Sequence, residues 1–134
     1  MAAHQQVMSD WWQERMPNLG GCVSELVLTE ARLGDKSAAE KRLVALEGIP
    51  VLETGPGAVQ LSRRLVESSV FPEEYINDAL HIAIAADHSI EFLVTWNCKH
   101  LANATIRGKL NAMIQANHLQ APVICTPEEL MEDF

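Results

Sequence analysis

The sequence is short of several things that would identify a protein quickly. It has three cysteines, Cys22, Cys98 and Cys125, widely spaced and with no CxxC pair. An odd number in that pattern suggests neither a disulfide framework nor a zinc ribbon, so reduced thiols are expected. No apolar run approaches the ~20 residues that span a bilayer. The opening "MAAHQQVMSDWW" has neither the basic flank nor the apolar stretch of a signal peptide, so a cytoplasmic protein without a membrane partner is expected. There is no GxSxG, no Walker loop and no GxGxxG, which removes the commonest hydrolase, P-loop and dinucleotide signatures; "GPG" at 55–57 reads as a helix entry. Basic residues are also scarce. The net charge of −8 excludes a protein that grips nucleic acid by bulk attraction, because phosphate neutralisation needs clustered lysine and arginine. Lys41/Arg42, Arg63/Arg64 and Arg107 with Lys109 read as solvated helix faces.

The 134 residues, 48% hydrophobic and 21% charged, have the length and balance of a single domain over 1–134 with a real core. Helical spacing of Val7, Met8, Trp11 and Trp12 predicts a first helix ended by Pro17 and Gly20. "GCVSELVLTEARLGD" reads as a short strand running into a helix, with Ser24 as N-cap and Gly34 as stop. Helix "SAAEKRLVALEG", strand "IPVLET" and helix "GPGAVQLSRRLVESS" follow. Pro72 is then placed in the first turn of the helix "YINDALHIAIAADHS". Strand "EFLVTW", helix "TIRGKLNAMIQANH" with Gly108 inside it, strand "PVICT" and the tail "PEELMEDF" complete the order. Strands alternating with helices imply a mainly parallel sheet of about four strands, covered on both faces in a three-layer α/β/α architecture. Ligands of such sheets bind beyond the carboxyl ends of the strands.

Three places on this frame suit chemistry. Asp78 shares a helical face with Tyr75, Ile82 and Ala85, so its carboxylate is expected to point inward and to need a cation, a metal or strong donors. His81, one turn on, could be that partner through a plain Asp/His hydrogen bond. Glu30 lies on the face of Leu26 and Val27 and is expected at the core or its rim, whereas Glu25 serves the helix dipole. In "LVTWNCKH", Thr95, Asn97 and His100 follow a strand. Oxygen donors of this kind suit magnesium or manganese. A zinc site from Cys98, His100 and His81 matches no standard spacing. His4, His88 and His118 read as surface residues.

"VSELVLTE", then "DALHIAIA", then "FLVTWN" together resemble the PIN domain, in particular the VapC-like toxins of toxin-antitoxin pairs, over nearly the whole chain. The resemblance implies a Mg2+- or Mn2+-dependent endoribonuclease, with Glu30 and Asp78 as metal-binding carboxylates and Thr95 and Asn97 as further active-site residues. It also implies an RNA substrate, an antitoxin partner and a homo-oligomer. Asn97 falls where many PIN domains have an aspartate; an amide oxygen can coordinate but supplies no negative charge. PIN domains usually open with a central strand ending in aspartate, and nothing from Met1 to Asp10 reads as that strand, so Asp10 is given no such role. Two inner strands are therefore expected to lack a neighbour and to expose edges that invite pairing. Two other readings fit the same residues: a PIN-like binding module without strong catalysis, and a doubly wound domain holding a small ligand at its strand ends.

Overall fold

In a computed structural model of the protein, residues 20–95, 104–126 and 129 are described. The first helix expected around Trp11 and Trp12, Asn97, Cys98, His100 and most of the tail lie outside them. The fold is mixed α/β. β1 (Val23–Ser24) runs directly into α1 (Glu25–Ala31), followed by α2 (Lys36–Ala45), β2 (Val51–Leu52) and α3 (Pro56–Glu67). α4 (Ile76–Asp87), β3 (Phe92–Val94), α5 (Ala104–Ala116) and β4 (Val123–Cys125) complete it. Among the described residues no helix is long and apolar enough to cross a membrane.

Local chemistry explains the helix starts. The Ser24 hydroxyl accepts from the Val27 amide at 3.3 Å, and the Asp35 carboxylate accepts from the Ala38 amide at 3.0 Å, each satisfying a donor that the first turn leaves without a helical partner. Gly55 caps α3 and Pro56 takes its first position, where a missing N–H is harmless. Pro72 is not in the first turn of α4. It caps a 3-10 turn, Glu73–Tyr75, closed by Tyr75 N–H to Pro72 O at 2.9 Å, and α4 starts only at Ile76.

The helix ends share one device. After α3, α4 and α5 the residues Ser69, Ser89 and His118 take φ of 61°, 57° and 63°. Beyond each, an amide reaches back across the turn: Val70 to Leu65 O at 3.0 Å, Ile90 to Ala85 O at 2.9 Å and Leu119 to Ile114 O at 3.2 Å. These are Schellman closures built without glycine at the left-handed position.

The core is the contact of α3 with α4, sealed by α5. Ala58, Leu61 and Leu65 of α3 meet Ala79, Ile82, Ala83 and Ala86 of α4, with Phe71 from the connection and Leu110 and Ile114 from α5, all at most 2% exposed. Alanines at 79, 83 and 86 follow helical spacing and allow close approach of the two helices. α4 is buried without interruption from Ile82 to Ala86, as a helix apolar all round must be.

The strands depart from the expected single sheet. Among the described residues, β1 pairs with β2 in parallel (Val23 with Val51, Ser24 with Leu52), and β3 pairs with β4 in parallel (Phe92 with Val123, Leu93 with Ile124, Val94 with Cys125), as two separate two-stranded sheets. The reason is length: six-residue apolar segments contribute only two or three paired residues, and Pro50 before β2 has no amide to extend the ladder. Leu52, Leu93 and Ile124 pack against the helical core, while Val51, Phe92 and Val123, the first residues of their strands, are exposed.

Candidate functional site

Glu30 stands in the last turn of α1. The helix begins at the end of β1, so six residues after the Ser24 cap its carboxylate emerges on the side facing α4. There it meets His81: the imidazole Nε2 lies 2.5 Å from Glu30 Oε1. The His81 side chain is 22% exposed and that of Glu30 42%, so the pair forms a rim that solvent reaches, not a sealed core contact. With the proton on Nε2, a tautomer assigned from the contact itself, the ring donates to Oε1 and holds the carboxylate.

The contact corrects the partner expected for His81. Sequence spacing offered Asp78; the imidazole engages Glu30, 51 residues away in the chain. Asp78 lies one turn before His81 on α4, a spacing that sets side chains beside each other on one helix face. It is half-buried, with Ile82 and Ala85 of its face at 1% and 4% exposure and Tyr75 packed against the core. Glu30 is at the rim, not within the core.

Thr95 follows β3 directly, half-buried, its amide donating to Cys125 O at 2.9 Å and so continuing the β3–β4 ladder past the last paired residue. Asn97, two residues further, lies outside the described residues, as do the Cys98 and His100 of the zinc alternative. Among the described residues no three His, Cys, Asp or Glu side chains gather as metal ligands. A magnesium site asks for less, since the ion commonly keeps several waters and takes one or two protein carboxylates. Glu30 and Asp78 have the hard oxygen chemistry for that role, and Glu30 is accessible.

Two contacts near the site were not legible as function. Arg42 of α2 donates from Nε to Ala31 O at 3.1 Å and from Nη2 to Leu33 O at 2.5 Å, tying down the end of α1 just beyond Glu30. Arg42 is exposed, as the Lys41/Arg42 pair suggested, but it also binds two backbone carbonyls. The signal lay in Gly34, which turns the chain back (φ +82°) so that α2 can reach α1. At the other end of α4, His88 Nε2 lies 2.7 Å from Glu53 O, and the Asp87 carboxylate packs over Gly55 and Gly57 at the start of α3. His88 is at the surface, as expected, and its contact there ties α4 to the residue after β2. No protein-family model matches the chain, and no curated protein or solved structure matches it significantly.

Proposed function

We propose that the protein is a PIN-like endoribonuclease of the toxin type, a single three-layer α/β/α domain over 1–134 in which Glu30 and Asp78 share a magnesium or manganese ion. The observation that carries this reading is the Glu30–His81 contact, which brings the last turn of α1 to the first turns of α4, where Asp78 stands. The Glu30 carboxylate is held at a rim that solvent reaches, against the helix that also bears Asp78, and hard oxygen donors on these two elements suit a divalent cation.

The divalent ion supplies a polarised water and charge neutralisation at the phosphodiester. Glu30 and Asp78 bind it, His81 holds the Glu30 carboxylate in place, and Thr95 and Asn97 offer neutral oxygens to orient water or phosphate. Two negative charges instead of three or four mean weak affinity for the ion, so activity is expected at millimolar and not micromolar manganese. The acidic chain must grip RNA locally, since its net charge of −8 repels phosphate at long range. The expected setting is the cytoplasm, with an antitoxin as partner and a homo-oligomer as the assembled form.

A fluorogenic RNA assay with 1–10 mM manganese tests the reading. Cleavage that requires the ion, and that Asp78→Ala abolishes, supports it; cleavage unchanged in Asp78→Ala removes it.

The strand arrangement favours a second reading. Each of the four strands has one edge without a strand partner among the described residues, and parallel strands are normally paired on both sides and covered. A PIN-like binding module would use such edges to pair with an antitoxin or a second copy. Manganese titration separates the two: a module binds no stoichiometric ion at Glu30 and Asp78.

A further inference from the structure

α1 is seven residues long, too short to hold its own geometry without tertiary support. Its final turn leaves carbonyl oxygens with no helical donor. Leu33 N–H closes on Glu30 O at 3.1 Å and Arg32 N–H on Thr29 O at 3.3 Å, but the carbonyls of Ala31 and Leu33 point onward. Both are taken by one guanidinium, that of Arg42, which lies in the last turn of α2 and returns across the Gly34 reversal. Two N–H groups of a rigid fork on two carbonyls set position and angle together, which an ammonium cannot do. The clamped carbonyls lie one and three residues after Glu30, and the Glu30 carboxylate is the group that meets His81. A cation at this end also opposes the unfavourable meeting of the Glu30 charge with the negative end of the α1 dipole.

We propose that Arg42 is a positioning residue for the functional site: through the Ala31 and Leu33 carbonyls it fixes the last turn of α1 so that the Glu30 carboxylate is held against His81. The assignment of a functional role to that pair rests on the ribonuclease reading. The contact itself does not, and it is tested with neither metal nor RNA. The side-chain nitrogen and carbon resonances of His81 in 15N,13C-labelled full-length protein, at one fixed pH, report the Glu30 contact directly.

Glu30→Gln sets the full displacement of the His81 Nε2 resonance. If Arg42 acts through Glu30, Arg42→Gln moves that resonance at least half as far in the same direction. The double variant Glu30→Gln/Arg42→Gln then moves no further than Glu30→Gln alone. Arg42→Lys, which restores one donor without the fork, falls between wild type and Arg42→Gln, and it carries the test if Arg42→Gln fails to fold. His81 resonances that stay at wild-type positions in Arg42→Lys and in any folded Arg42→Gln, with only the urea midpoint lowered, overturn the proposal, as do displacements that add fully in the double variant. Neither result touches the ribonuclease reading, which fails instead if Asp78→Ala leaves cleavage intact.

Discussion

Glycine at Ser69, Ser89 and His118 should stabilise the protein. Each residue ends a helix in the left-handed region, with φ of 61°, 57° and 63°, where an L side chain costs roughly 1–2 kcal/mol and glycine none. Glycine gives back part of that gain, about 0.5–1 kcal/mol, through the greater freedom of the unfolded chain. All three side chains are exposed, so little packing is lost. The net expectation is about 0.5–1 kcal/mol per site. The sites close three different helices, so their effects should add, to about 2 kcal/mol for the triple variant. With a urea m-value of roughly 1.5 kcal/mol/M, the unfolding midpoint rises by about 1 M at unchanged m. Alanine at the same positions retains a Cβ and should give no gain. A triple glycine variant no more stable than wild type, or alanine equal to glycine, would refute the argument that these closures are strained.

Other outcomes follow from packing and charge. Leu65→Ala removes a fully buried side chain at the α3–α4 contact and should cost about 3–4 kcal/mol, from three lost carbons and the cavity they leave, as read by urea unfolding; a loss under 1 kcal/mol would mean the core is not where these helices meet. Ser24→Ala, by deleting the cap on the Val27 amide, should cost about 1 kcal/mol in the same assay. Burial pushes the Cys22 thiol above its ordinary range, leaving less thiolate at pH 8, so iodoacetamide should label Cys22 more slowly than free glutathione in a peptide-resolved mass spectrum, with labelling accelerating only as pH rises further.

The order of strands and helices was legible because the local signals agree. Ser24 before "ELVLTEA", Pro56 after Gly55 and the β-branched "VL" and "VIC" segments each name their own element. The Schellman closures were not legible, since "ESSV", "DHSI" and "NHLQ" contain no glycine, and tertiary packing, not local preference, holds those residues left-handed. The separation into two sheets was also hidden: an apolar run shows where a strand is, not how many of its residues find a partner. At the site, helical spacing placed Asp78 beside His81 but could not reveal that the ring turns to Glu30. Arg42 escaped notice for a related reason, because nothing local shows that the Gly34 reversal brings this exposed cation onto the carbonyls of Ala31 and Leu33.

Paramagnetic broadening by manganese reads the shared-ion claim most directly. Sub-stoichiometric Mn2+ added to 15N-labelled protein should erase the amide signals around Glu30, Asp78 and His81 before any others, and Asp78→Ala should abolish that selectivity. Broadening spread evenly over the acidic surface, or centred away from the ends of α1 and α4 that meet, would contradict it.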